Sequence, residues 1–297
     1  MIAGEFKRIV KQTSPSRRWV SWKLRMRMLE RVAPSYRVLA MSDFAGAAAA
    51  LSLPDVSVVE LARSQATLPA WESWPEARHT DMRVQLSVAD AAAAGPGIDR
   101  LLASHFGCAP PAVRGDMLAL LQLFAQCAIA EGGAAADTTL NGRLVVSNGV
   151  RGACSQLHYD SVTLRLSCAY HGAGTRYLPE ASVNRAAFIA LQRRGTLPGW
   201  LQRALVQPWG WIVYNGLVRW PWGEERGAPE GHAILMKGSR WWRGKRRPAR
   251  SSPLPFAAWG GTRAGPALHR SPIAKAGDAG VESTLRSGRR VLFTVDY

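Results

Sequence analysis

The sequence predicts an α+β protein in which a mainly helical region precedes an antiparallel β sandwich or barrel. Three observations predict this class. Apolar residues recur at helical spacing before residue 135, alternation with a period of two begins after residue 138, and several short candidate strands separated by Gly and Pro follow. Because no predicted helices alternate with those strands, the pattern favours antiparallel pairing.

Composition narrows the class of protein further. Hydrophobic residues make up 47% of the 297 residues, which is enough for a sizeable core and excludes wholesale disorder. Lys and Arg outnumber Asp and Glu by 38 to 21, a net charge of +17, which favours contact with nucleic acid, acidic surfaces or anionic substrates. The four cysteines form no C-x-x-C pair, and neither a secretory signal nor a transmembrane segment is visible. We therefore expect a soluble cytoplasmic protein.

Residues 1–40 are predicted to be a basic N-terminal extension. Ten Lys and Arg residues stand there against two Glu, with apolar residues interleaved. One interpretation is an amphipathic basic helix that touches an anionic surface, and the alternative is a poorly ordered extension. Residues 239–250 (SRWWRGKRRPAR) are a second basic and aromatic segment, predicted to be a surface loop. Both segments are candidates for non-specific contact with nucleic acid.

Residues 41–135 are predicted to be mainly helical. Residues 43–51 are rich in Ala, and residues 98–106 have apolar residues at helical spacing. Asp116 is placed to cap a further helix, which the two glycines at 132 and 133 would end.

Residues 136–297 are predicted to form the β domain. Its clearest strand starts at Val162, because apolar residues there alternate with Ser, Thr and Arg as far as Tyr170. The other strand candidates are residues 144–146, 211–214, 233–236 and 291–297.

Three separated side chains predict a metal site. His158 and Asp160 are two residues apart, so on a strand both point to the same face. If the apolar alternation beyond Val162 fills the barrel on that same face, the pair lies at the mouth of the barrel. His269, before the final strand, adds a third ligand. Two His and one carboxylate on one face of an ion are typical of non-haem iron(II) oxygenases, and the same ligands also suit zinc.

An arginine at the start of the last strand is the second functional candidate. Some iron(II) oxygenases use 2-oxoglutarate as a co-substrate, which chelates the metal at one end. The guanidinium of this arginine would bind the carboxylate at the other end through two parallel hydrogen bonds. Arg290 fits this role if Thr294 points inward and assists with its hydroxyl, whereas the opposite parity selects Arg289. The sequence leaves both open. Arg165 has the opposite parity to His158, so we expect it to point out of the barrel or to pair with a neighbouring strand.

Four segments together resemble a bacterial family catalogued as domain of unknown function 1826. They are LHYDSVTLRLSCAYHGAGT at 157–175, ILMKG at 234–238, HRSP at 269–272 and RRVLFTVD at 289–296. The resemblance covers roughly residues 41–297. The sequence departs from the family pattern at Ala173, where Pro is usual, and at Arg176, where Glu is common, and it has a long gap between His269 and Arg290.

The order H-x-D…H…R is similar to that of the 2-oxoglutarate/iron(II) dioxygenase superfamily. This second resemblance implies a double-stranded β-helix of the cupin or jelly-roll type. It also implies an oxygenase in which His158, Asp160 and His269 hold iron(II) and an arginine anchors 2-oxoglutarate. Two other functions stay open: a non-enzymatic metal-binding protein linked to zinc or iron handling, and a basic nucleic-acid-associated protein.

Overall fold

The fold is known from a computed structural model of the chain. The structure describes residues 35–40, 42–63, 80–107, 109–131, 133–148, 154, 156–192, 197–207, 210–244, 265–272 and 289–297. The strands are β1 (Tyr36–Ala40), β2 (Val58–Ala62), β3 (Thr80–Ser87), β4 (Thr139–Asn148), β5 (Leu164–His171), β6 (Arg176–Leu178), β7 (Arg226–Gly227), β8 (Ala233–Lys237), β9 (Leu268–Arg270) and β10 (Arg289–Asp296). The helices are α1 (Phe44–Ser52), α2 (Val88–Ala93), α3 (Pro96–His105), α4 (Pro111–Ala130), α5 (Arg185–Gln192), α6 (Gly199–Val206), α7 (Gly210–Val218) and α8 (Ser239–Gly244).

The strands form two sheets. The main sheet has seven strands in the order β1-β2-β8-β5-β10-β4-β3, and only its β1–β2 pair is parallel. The small sheet has the order β7-β6-β9, and a β-bridge between His158 and His269 adds the segment around residue 158 beside β9. From β4 onward the chain therefore passes repeatedly from one sheet to the other.

The main sheet divides its side chains between two environments. Leu166 of β5 and Phe293 of β10 lie in the main core, together with buried side chains of α4 such as Leu120 and Phe124. The alternate residues of the same strands, which include Arg165 and Thr294, line a cavity on the other face. The period of two in the sequence thus separates a helix-packed face from a polar face.

A buried ion pair joins α4 to the sheet. Arg63 contacts Asp116 of α4 at 2.5 Å, and the hydroxyl of Tyr170 on β5 donates to the second oxygen of that carboxylate at 2.5 Å. The prediction that Asp116 caps a helix is wrong, because α4 already begins at Pro111 and proline is favoured in the first turn. Among the described helices, α4 alone is long and apolar enough to cross a membrane by length and composition, and half of that apolar window is buried inside the protein.

Other predictions need correction as well. The region 41–135 contains helices α1 to α4, but it also supplies β2 and β3, so it is not only helical. Residues 211–214 were predicted as a strand and lie in α7 instead, because bulky apolar residues do not by themselves separate a buried strand from a short helix. The first six residues of the predicted surface loop 239–250 form α8, in which Trp241 is buried, and residues 245–250 lie outside the described residues. The predicted extension is described only from residue 35.

Gly238 provides a test of the packing between the end of β8 and the turn that precedes β5. A Cβ atom there would lie 2.1 Å from the carbonyl oxygen of Val162 and 3.0 Å from that of Asp160. Since both obstacles are backbone atoms, we expect Gly238→Ala to lower the free energy of unfolding by about 1–3 kcal/mol. Gly216→Ala is the control, because its Cβ meets nothing within 4 Å and lies in helix α7, where Ala is favoured by about 0.5–1 kcal/mol. Urea denaturation measures both, and equal effects would contradict the packing described here.

Candidate metal centre

Two backbone hydrogen bonds hold His158 and His269 side by side. The amide of each residue donates to the carbonyl of the other, both at 2.9 Å. Because successive residues of a strand point to opposite faces, the preceding Leu157 and Leu268 turn into a second apolar cluster with helices α5 and α7. The two imidazoles turn the other way, toward the cavity, with ring centroids 4.5 Å apart. The leucines therefore anchor the strands that present the histidines.

Asp160 is positioned from the main sheet. Its carbonyl accepts a hydrogen bond from the amide of Ser239 at 2.9 Å, and the amide of Gly238 donates to the carbonyl of Thr163 at 2.9 Å. These bonds fasten the turn between His158 and β5 to the end of β8. The backbone of Asp160 is thus tied to the main sheet, whereas the backbone of His158, two residues earlier, is tied to the small sheet.

The three predicted ligands converge. One ligand atom each of His158, Asp160 and His269 can be chosen so that all lie within 4.8 Å of one another. Nε2 of His269 lies 3.0 Å from Oδ2 of Asp160, and Nε2 of His158 lies 3.9 Å from Oδ1. Two residues from the β4–β5 connection and one from β9, more than a hundred positions later, therefore surround one point.

Backbone carbonyls orient both imidazoles. Nδ1 of His158 lies 2.9 Å from the carbonyl oxygen of Gln156, and Nδ1 of His269 lies 3.3 Å from that of Ala267. A carbonyl accepts a hydrogen bond, so these contacts favour the tautomer with the proton on Nδ1. Each Nε2 then keeps a lone pair for an ion bound beside Asp160, which is the arrangement that ligating histidines use.

The carboxylate of Asp160 supplies the test of whether a cation fits. Its Oδ2 atom is buried and has no hydrogen-bond partner of acceptable geometry, although Nε2 of His269 lies 3.0 Å away. A buried charged oxygen without a partner is costly. A divalent cation between this oxygen and the two Nε2 atoms would satisfy it, so the residues present fit a metal ion.

Protonation states agree with that fit. Burial and the nearby His269 lower the pKa of His158, so its imidazole is neutral at neutral pH. Burial alone would raise the pKa of Asp160, but His269 and the charge of Arg165 outweigh it and lower the pKa overall. Neutral imidazole and ionised carboxylate are the forms that bind a metal.

Arg165 contacts the candidate ligand Asp160 directly. Its Nη1 lies 2.8 Å from Oδ1 of Asp160, and its Nη2 lies 2.5 Å from Oδ2 of Asp296 on β10. Of the two expectations for Arg165, pairing with a neighbouring strand is confirmed, and pointing out of the barrel is wrong.

That error has a physical cause. Side-chain parity holds only along one strand, whereas His158 pairs with the small sheet and Leu164 begins a strand of the main sheet. The bend at residues 161–163 lies between them. The face that carries Leu164 and Leu166 consequently packs on the helices rather than filling the barrel.

The ligand cluster opens into a cavity of about 1110 Å³. Most of the side chains that line it are polar or charged. They include Asp81, Arg83, Gln85, His105, Asn141, Arg143, Ser147, Arg165, Ser167, Thr175, Arg270, Arg290, Thr294 and Asp296. Sequence reasoning missed Arg165 and Asp296 as neighbours of the site. The sequence signal that could have found them is the alternation within β5 and β10. If the apolar residues of these strands are assigned to the helix-packed face, Arg165 and Asp296 fall on the opposite face, which lines the cavity.

Arg290 lines the same cavity and is nearly fully buried. Its Nε donates to the carbonyl oxygen of Ala173 at 3.0 Å, while its Nη2 is buried and has no hydrogen-bond partner in the described part of the chain. Burial lowers the pKa of Arg290 to about 10. The departure from the family pattern at Ala173 leaves this contact intact, because a backbone atom makes it. A buried guanidinium with a free donor fits an anion in the cavity.

The two remaining candidates differ in what the structure shows. Thr294 lies on the cavity face of β10 together with Arg290, as its parity predicts. The side chain of Arg289 lies outside the described part of the chain. The structure therefore describes only one of the two arginines that the sequence left open.

Comparisons with known proteins point to one family. A family model described as "Protein of unknown function (DUF1826)" matches residues 59–280. No curated protein matches.

Several solved structures are distantly similar. A dioxygenase for auxin oxidation from rice is 15% identical, with a TM-score of 0.38, over 86% of this chain and 77% of that chain. The dioxygenase for auxin oxidation 1 from Arabidopsis thaliana, in complex with 2-oxoglutarate, is 9% identical, with a TM-score of 0.37 and coverages of 88% and 91%. A prolyl-4-hydroxylase from Pseudomonas putida is 10% identical, with a TM-score of 0.27 and coverages of 73% and 93%. Similarity this weak assigns neither fold nor activity, so both must rest on strand pairing and side-chain geometry.

Arg290 has no acidic partner among the residues that the structure describes, and this predicts an unusual response to mutation. Replacing a buried charge that has no acidic partner by an apolar side chain of similar length removes a desolvation cost. We expect Arg290→Met to raise the free energy of unfolding of the metal-free protein by about 1 kcal/mol or more. Arg63→Met should instead lower it by about 3 kcal/mol, because it strands Asp116 in the interior. Denaturant titration decides, and a loss of stability in Arg290→Met would show that the guanidinium has a stabilising partner.

Proposed function

The chain belongs to the family described as protein of unknown function (DUF1826), and we propose that it is an iron(II)- and 2-oxoglutarate-dependent oxygenase. One observation carries the proposal: His158, Asp160 and His269 converge at a polar cavity that also receives the buried Arg290. The proposed reaction requires a metal, which the two histidines and Asp160 would hold, and an anionic co-substrate, which Arg290 would bind.

We propose the double-stranded β-helix as the underlying fold. Four consecutive passages support it: β4 lies in the main sheet, the segment at His158 in the small sheet, β5 in the main sheet and β6 in the small sheet. After β6 the chain continues into β7 of the same small sheet, and the alternation then resumes with β8 in the main sheet, β9 in the small sheet and β10 in the main sheet. The two sheets pack through side chains such as Tyr177 of β6 and Ile234 of β8. A two-sheet roll of this kind is the jelly-roll architecture.

The ligand set favours iron(II). Two imidazoles and one carboxylate on the same side of an ion leave other coordination positions open, which distinguishes a reactive site from a closed structural one. Iron(II), when bound, supplies the activation of dioxygen, and the protein supplies the geometry and the exclusion of competing reactions. No observation supports the zinc alternative over iron.

Arg290 is the proposed anchor for 2-oxoglutarate. Arg290 lines the cavity, its Nη2 has no hydrogen-bond partner among the described residues, and its Nε is already fixed by the carbonyl of Ala173. A guanidinium held in this way binds a carboxylate with little loss of side-chain freedom. The hydroxyl of Thr294, on the same face of β10, is a second donor for that carboxylate.

The lining of the cavity also limits the substrate. An apolar substrate would strip water from many polar groups without replacing their hydrogen bonds, which costs free energy at each group. We therefore expect a polar substrate. Gln85 and Asn141, whose side chains hydrogen-bond each other at 3.0 Å across β3 and β4, offer such hydrogen-bonding groups.

Anaerobic reconstitution tests the metal centre. We expect one iron(II) per chain, and on adding 2-oxoglutarate a weak charge-transfer absorption in the visible range, because the co-substrate chelates the metal at its open positions. Separate alanine substitutions of His158, Asp160 and His269 should each abolish the absorption. His105→Ala is the matched control, since His105 lines the cavity outside the cluster and should leave the absorption unchanged. Stoichiometric metal without any absorption, and without succinate formation in air, would refute the oxygenase and leave a metal-binding protein.

The two arginines at the start of β10 can be separated by substitution. We expect Arg290→Gln to weaken 2-oxoglutarate binding by about tenfold or more while leaving iron(II) binding intact, because a charge-assisted bidentate contact is lost. Arg289→Gln is the control. Titration of the charge-transfer absorption gives both affinities. If only Arg289→Gln weakens the co-substrate, the assignment to Arg290 is wrong.

A further inference from the structure

Arg165 has a place in the site that the proposed reaction does not require. It joins two carboxylates, Asp160 at 2.8 Å and Asp296 at 2.5 Å, with one nitrogen on each. Asp296 faces Arg165 directly in the pairing of β10 with β5. The guanidinium is planar and rigid. Its ion pair with Asp296 therefore fixes the position of the nitrogen that contacts Asp160.

The two oxygens of Asp160 are thereby made unequal. Oδ1 forms the ion pair with Nη1 of Arg165 at 2.8 Å, whereas Oδ2 is buried and has no hydrogen-bond partner among the described residues. Oδ2 is also the oxygen nearer to His269, at 3.0 Å. A carboxylate that is free to rotate would present either oxygen, or both, to a cation.

We infer that Arg165, braced by Asp296, is a positioning residue that holds Asp160 as a one-oxygen ligand with Oδ2 toward the metal. This inference rests on the proposed metal centre and adds to it. Holding one oxygen away from the ion keeps a coordination position open that a two-oxygen carboxylate would fill. That position is one of those that a co-substrate and dioxygen need.

The sign of one measurement separates positioning from simple electrostatics. A positive charge beside a ligand carboxylate repels a divalent cation, so on charge alone Arg165→Gln should tighten metal binding. If Arg165 orients the ligand, the same substitution should weaken binding, because Asp160 must then be ordered by the metal itself. Loss of an outer contact of this kind typically costs tenfold to a hundredfold in metal affinity.

The experiment uses Mn(II) as the probe, with binding to the full-length protein followed by electron paramagnetic resonance. We expect the Kd to rise about tenfold or more in Arg165→Gln. The Kd of Arg165→Lys for Mn(II) should rise by a similar factor, since one ammonium keeps the charge but cannot span both carboxylates. The Kd of Asp296→Asn should rise less, because Arg165 stays in contact with Asp160 and loses only its ion pair with Asp296. Thermal unfolding of each metal-free variant is measured alongside, and a midpoint close to that of the unmodified protein shows that the fold is intact.

Arg143→Gln is the matched control. Arg143 lies on the same face of the main sheet and also binds an aspartate, Asp81, through two contacts of 2.8 Å, but it does not contact Asp160. Its substitution should leave the Kd for Mn(II) unchanged. Equal weakening in Arg143→Gln would reduce the effect to a general property of the cavity and overturn the inference.

The remaining outcomes are also decisive. Tighter or unchanged Mn(II) binding in Arg165→Gln would overturn positioning while leaving the metal centre in place. If Arg165→Lys binds Mn(II) as the unmodified protein does, a guanidinium that spans both carboxylates is not needed to position Asp160, and the inference again fails. If the unmodified protein binds neither Mn(II) nor iron(II), the proposed function fails and the inference falls with it. That last result is distinguishable from the others because it needs no variant.

Discussion

The candidate site depends on one antiparallel contact, the pair of backbone hydrogen bonds between His158 and His269. These bonds bring together two segments separated by more than a hundred residues and fix the direction of both side chains. Once the pair is in place, alternation along each strand sends Leu157 and Leu268 into the helices α5 and α7. The same alternation sends both imidazoles into the cavity. The geometry of the site is therefore a consequence of backbone pairing, and the apolar neighbours hold that pairing in register.

The two faces of the main sheet have different roles, since one packs on the helices and the other lines the cavity. Its helix side carries the continuous apolar core, where the packing of α4 against β5 and β10 stabilises the fold. Its other side carries charged and hydroxyl groups whose burial is costly. Arg290 shows the cost most plainly, since it is buried with one donor unused. A buried guanidinium with an unsatisfied nitrogen is the feature of this cavity that the proposed anion site would explain.

The sequence predicted the candidate ligands better than it predicted the helices and strands around them. His158, Asp160 and His269 could be found because residue type and local spacing restrict metal chemistry, and their convergence follows from the fold. The direction of the Arg165 side chain could not be predicted. The alternation of side chains was counted from His158 to Arg165 as if along one strand, but a bend at residues 161–163 interrupts it. Strands β2 and β3 were missed in a region of helical composition, since their place in the main sheet comes from tertiary pairing with β8 and β4. Short apolar stretches such as residues 211–214 were assigned to the wrong element for the same reason.

The position of β10 has a consequence for how the protein is made. This strand lies between β4 and β5 in the main sheet, although more than a hundred residues separate it from β5 along the chain. Until residues 289–296 leave the ribosome, β4 and β5 each expose an unpaired edge, and the cavity lacks its central wall. Contacts between such distant segments slow folding and leave intermediates prone to association. The nascent chain must therefore keep its half-built sheet from aggregating until residues 289–296 become available, and the cavity is complete only after β10 has paired with β4 and β5.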